Sequence, residues 1–208
     1  MTRPPRKNGP PGRQPGGKPP GKPHGKQRQH RDRDEDDDDD GAGQCDSARL
    51  KLRRLDGNCY SFTPPVCAFD RKEDIEEVQQ MITAGELEIA RDELLYLVSD
   101  CRAFLEAHNL LGELALEEED ISLARGHFGF AYEIGLDSLP AGFRGTLPAK
   151  RDYNRAFFLA GRGLARCLIA RGQTKEGRAV LAQLAKFDPQ EEHVKSLLKE
   201  LDARDAKN

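Results

Sequence analysis

The sequence predicts an all-α fold: a solenoid of three stacked helical hairpins with a C-terminal capping helix, preceded by a disordered charged arm. Three observations carry this. No proline occurs between Pro65 and Pro140, and from Arg71 onward Glu, Leu, Ala and Arg dominate. The chain matches itself at a register of 34 residues, so that Ala90 falls on Ala124 and Leu94 on Phe128. Finally, Val194, Leu197, Leu198 and Leu201 line one stripe of residues 190–203, with charges on the other face.

The first 43 residues stand apart. They hold eight prolines and eight glycines, and after Met1 no large apolar side chain. Such a segment cannot bury enough apolar surface to offset its ordering entropy, so residues 1–43 are expected to be disordered. Ten Lys and Arg run from Arg3 to Arg33, and eight acids sit between Asp32 and Asp40. The basic stretch, residues 3–33, could touch a nucleic-acid backbone, yet it carries no aromatic residue for base stacking. A solvating tail is the favoured reading of it.

Residues 44–70 form an extended or hairpin lead-in. Asp56-Gly57 lies between short stretches carrying Leu50, Leu52 and Leu55 and then Tyr60 and Phe62, a hairpin signal. This piece is expected to lie as a hairpin or strap on the first repeat.

The repeat domain is expected over residues 71–205. At the 34-residue register Val78 falls on Gly112, Met81 on Ala115, Leu97 on Ala131, and the turn residue Gly85 on Glu119. A third copy appears if 19 residues are inserted, matching Leu164, Ala165 and Leu168 to Leu111, Gly112 and Ala115. Gly172 then sits at the inter-helix turn, where positive φ suits a helix C-terminus. The insertion, residues 139–157, carries Leu139, Phe143, Leu147, Tyr153 and Phe157, so it packs on something. It either closes one end of a groove, with Lys150, Arg151 and Arg155 at the rim, or braces the third repeat; bracing is favoured.

The pattern resembles the tetratricopeptide repeat family, whose unit is a 34-residue helix-turn-helix with small residues at fixed close-packing positions. The second repeat carries it best, as His108-x2-Leu111-Gly112-x2-Ala115 followed by Ala124-x3-Phe128. The resemblance spans residues 71–191 and departs at two positions. The first aromatic position holds Asp74, His108 or Gly161, and the tyrosine position holds Met81, Ala115 or Leu168. The fold is therefore expected to be TPR-like. The resemblance implies that the first helix of each pair lines a concave groove. Its positions hold Lys72, Glu76, Gln79 and Thr83, then Glu106, Asn109, Glu113 and Glu117, then Arg162 and Arg166. Arg162 and Arg166, four apart on one helix face, could grip a carboxylate or could pair with Glu113. Glu106 and Glu113 argue against a chaperone-tail clamp.

Chemistry does not assemble elsewhere. In LARGHFGFAYEIG, His127 lies one step off the buried seam of Ala124, Phe128 and Ala131, and Gly126 and Gly129 are expected to serve close helix packing. No phosphate loop and no C-x2-C pair occurs. Five cysteines, widely spread and odd in number, read as reduced thiols of a cytoplasmic protein. No apolar run is long enough to span a membrane. The sequence therefore predicts no catalytic residue, no metal and no cofactor. It points to a scaffold or adaptor for a peptide or protein surface. The alternative is a nucleic-acid-associated protein whose arm supplies the affinity while the repeats recruit a partner.

Overall fold

The computed structural model describes residues 49–206; the arm and the start of the lead-in lie outside the described residues. Two strands come first, β1 (Lys51–Arg54) and β2 (Tyr60–Thr63). A short helix α1 (Val66–Asp70) follows, then α2 (Lys72–Ala84), α3 (Leu87–Asp100), α4 (Leu105–Glu117) and α5 (Ile121–Asp137). The last three are α6 (Asp152–Ala170), α7 (Thr174–Phe187) and α8 (Glu192–Asp205). The helices pack mainly in chain order, each on the next, as antiparallel hairpins must when short turns join them. The first helices α4 and α6 also touch across the stack.

The turns show why the register exists. Gly85, Glu119 and Gly172 all adopt positive φ, at 82°, 61° and 80°. They occupy one equivalent position in the three hairpins, the 19-residue insertion included. At each, the next residue's N–H reaches back to the helix it leaves: Glu86 to Met81, Asp120 to Ala115, Gln173 to Leu168. This closes the helix with the left-handed residue that such an ending requires. After the second turn, the Asp120 carboxylate accepts from Leu123 N–H at 2.9 Å and caps α5.

Close approach is set by Gly112, at the small position of the repeat, and by Gly163, rather than by Gly126 and Gly129. A Cβ at Gly112 or Gly163 would lie 2.8 or 2.5 Å from the Phe128 ring, so two neighbouring helices clasp that ring between bare backbones. By contrast a Cβ at Gly126 would meet nothing within 4 Å, and one at Gly129 would make only ordinary contact with Leu164. Close packing therefore does not account for Gly126.

The fold is mostly helical, as expected, and the lead-in is the hairpin the sequence signals: Lys51↔Thr63 through Arg54↔Tyr60 pair as an antiparallel ribbon. Asp56-Gly57 makes the turn, with Gly57 at φ 55°. Two further expectations change. First, this hairpin lies against the third repeat, not the first. The buried Asn154 of α6 accepts from Phe62 N–H at 2.8 Å and donates to the carbonyls of Tyr60 and Pro148. Phe62 also packs edge-on to Phe157, 5.4 Å between centroids. The insertion completes the brace: Tyr60 N–H donates to Thr146, Leu147 N–H to Phe187, and Ala149 N–H to the Asp188 carboxylate. Its irregular part ends at Arg151, and its last residues already belong to α6.

The second correction concerns the thiols. Cys67 and Cys101 form a disulfide that ties α1 to the end of α3, their Cα atoms 5.7 Å apart. Cys59 and Cys167 are free. The two partners are 34 residues apart in sequence, one in α1 and the other at the C-terminal end of α3.

Candidate functional site

The first helices α4, α6 and α8 line a cleft of about 410 Å³. Its floor is apolar, built from Leu116, Phe128, Leu159, Gly163 and Leu197. Glu113 comes from α4, Arg162 and Arg166 from α6, and His193, Ser196 and Glu200 from α8. Spacing explains the α6 pair: residues four apart stand one turn above each other.

The two arginines differ. Arg162 pairs with Glu191 at 3.4 Å, both side chains largely buried. Glu191 in turn accepts from Val194 N–H at 2.5 Å and so begins α8. Arg162 is thereby held between α6 and the cap. Arg166 is exposed and makes no ion pair among the described residues. Glu113 faces both. Burial, and then Glu117, push its carboxyl above the usual range, while Arg166 and Arg162 pull it back. The cleft thus offers one anchored cation, one free cation and a carboxylate on each flank, around an apolar floor. That arrangement suits an amphipathic segment rather than a small anion.

The remaining expected groove residues do not join them. Gln79 is exposed on α2 and outside the cleft. Asn109 is buried, and its amide donates to Ala156 carbonyl on α6 at 2.9 Å, because the long helix α6 lies directly over α4 there. It fastens two first helices together and presents nothing to a partner. Lys150, Arg151 and Arg155 are exposed at the start of α6 and do not line the cleft. Sequence reasoning favoured α8 as a cap and named none of its residues for the groove; His193, Ser196 and Glu200 on its polar face line the cleft.

His127 has company that the sequence did not show. It lines a shallow recess with Val98, Arg102, His108, Leu123, Gly126 and Phe130. The His108 and His127 rings lie 5.8 Å apart, and Phe130 sits 4.8 Å from His108. His108 Nε2 donates to Arg102 carbonyl at 3.1 Å, which leaves Nδ1 buried as an acceptor without a partner. Burial lowers the His108 pKa to about 4. No group of three or more His, Cys, Asp or Glu side chains among the described residues is placed to hold a metal.

Residues 151–201, which include α6, α7 and most of α8, match the family model described as Tetratricopeptide repeat. The chain is a tetratricopeptide-repeat-like protein. No curated protein matches it. The matched stretch contains both cleft arginines and all three polar α8 residues, so the tetratricopeptide-like part is where the candidate site is densest. Among the described residues no helix is long and apolar enough to cross a membrane.

Proposed function

We propose that this protein is a non-catalytic adaptor whose repeat domain, residues 71–205, binds a peptide segment of a protein partner in the cleft of α4, α6 and α8. The observation that carries this reading is the convergence of Glu113, Arg162 and Arg166 with an apolar floor on the first helices of successive hairpins. Apolar side chains of the segment would displace water from the floor, which drives association. Arg166, the free cation, would meet an acidic group at the segment's edge, fixing register and direction more than affinity. The hairpin and insertion serve as the brace that holds α6 in place.

A library of random peptides displayed on phage, selected on the full chain, tests this. Enriched sequences that combine apolar anchors with an acid, and that lose binding on Arg166→Glu at unchanged helicity, support the cleft. Enriched sequences indifferent to Arg166→Glu and to Glu113→Lys place recognition elsewhere.

A further inference from the structure

The two-stranded ribbon is closed on one side and open on the other. Tyr60 N–H donates to Thr146 and Phe62 N–H to Asn154, so on β2 these residues point their main-chain groups away from β1. The pairs that exchange ladder bonds are therefore Lys51–Thr63 and Arg53–Ser61, since bonded and non-bonded pairs alternate in antiparallel strands. On β1 the intervening Leu52 and Arg54 must then direct their N–H and C=O groups outward. Among the described residues no backbone hydrogen bond reaches them. An open edge with unpaired main-chain groups is a template for another strand.

Charge and burial state which strand fits. Arg49, Lys51, Arg53 and Arg54 are all exposed, and no acid lies among residues 49–54. Lys51 and Arg53 share the outer face, because Leu52 and Phe62 pair on the inner one, where Phe62 is buried in the core and Leu52 packs against it. A strand added beside β1 would set its alternate side chains next to Lys51 and Arg53 on one face and next to Leu52, with Arg54 at the strand's end, on the other. Acids suit the first set and apolar groups the second. A second copy of this edge would bring cation against cation, which disfavours self-pairing.

We propose that the open edge of β1 takes an extended partner segment of alternating acidic and apolar residues as an added strand. This surface is separate from the α4–α6–α8 cleft and does not depend on it. Main-chain bonds supply the binding and the cations of β1 select the acids.

The test uses fluorescence anisotropy with the full chain and a fluorescein-labelled peptide of alternating glutamate and valine. A second probe carries N-methyl groups on every other amide, which removes main-chain donors and leaves the charge unchanged. The expected result is binding that weakens about tenfold or more with the N-methylated probe, given two or so lost main-chain bonds. A similar loss is expected on Lys51→Glu/Arg53→Glu, with helicity unchanged. Equal binding of both probes, or binding indifferent to the double substitution, overturns the proposal. So does tighter binding of an oligo-uridylate RNA that the double substitution abolishes, which would assign the edge cations to a phosphate backbone.

Discussion

The first helical hairpin, α2 and α3, and the last, α6 and α7, share a register and a turn geometry but not a filling. Around the first, the core is Ile75, Val78, Ala90, Leu94 and Leu97, with Phe104 as its one large ring among the described residues, and a disulfide ties α1 across to α3. Around the last, Phe157 touches the rings of Phe62, Tyr132, Phe158 and Phe187, all within 6 Å between centroids. There the hairpin and insertion cover the helices, and Asn154 closes three hydrogen bonds. The repeat thus prescribes where backbones turn and where they come close. It leaves open how the space between helices is filled. A covered end is filled with aromatic rings; the end with less cover is filled with aliphatic side chains and a covalent tie.

Phe157→Ala tests that contrast most strongly. The ring is fully buried at the centre of the aromatic group, so its removal is expected to cost about 4 kcal/mol. Leu94→Ala, equally buried in the first hairpin, is expected to cost nearer 3 kcal/mol. Urea unfolding of both variants checks the order. A larger loss at Leu94 would mean that the aromatic end is not the more heavily stabilised one.

The disulfide comes next. It closes a loop of 34 residues, and on a chain-entropy argument Cys67→Ala is expected to lose about 3–4 kcal/mol. The effect should be local: faster amide exchange in α1–α3 and little change in α6 and α7. Adding a reductant to the native protein should reproduce it. Exchange that rises equally along the whole stack would show the two ends to be one cooperative unit.

These regions were not equally legible in the sequence. The turns were readable because a left-handed residue recurs at one position, and the register holds even where Glu119 replaces a glycine. Small residues at Gly112 and Ala115 also marked the close approaches. The insertion's brace on the third repeat was readable from its aromatic residues, but the hairpin's part in it was not. Asn154 and Phe62 are 92 residues apart, and a side-chain hydrogen bond has no period to reveal it. The cysteines misled for a similar reason: spacing along the chain does not tell that Cys67 in α1 meets Cys101 at the end of α3. At the cleft, the family positions named Glu113, Arg162 and Arg166, and these three line one surface. They failed for Asn109, because nothing in the repeat pattern announces how closely α6 covers α4.

The junction between the two regions carries the pH dependence. His108, on α4, is held neutral by burial, with Arg102 and His127 as the neighbouring cationic or titrating groups. Its folded pKa of about 4 lies below the ordinary value of 6.5, so between the two the unfolded chain binds more protons. Stability is therefore complete above the ordinary value and falls as pH drops toward about 4, by about 3 kcal/mol in all. His127, also lowered by burial, adds in the same direction. Urea midpoints measured across this range should flatten in His108→Phe. An unchanged slope in that variant would move the dependence to the carboxylates.

The smallest effects separate glycines that hold the stack together from those that do not. Gly163→Ala puts a methyl group 2.5 Å from the Phe128 ring, which Gly112 blocks on its other side, so the ring has little freedom to yield. Overpacking of this kind is expected to cost about 2 kcal/mol. Gly126→Ala sits in the interior of α5 with nothing within 4 Å of the new methyl group. It removes only the helix penalty of glycine and is expected to gain up to about 1 kcal/mol. Opposite signs in the same unfolding experiment would locate the close approach at the α4–α5–α6 clasp around Phe128. A loss at Gly126 as well would mean that the His108–His127 recess needs its bare backbone, and that something besides helix packing has kept it open.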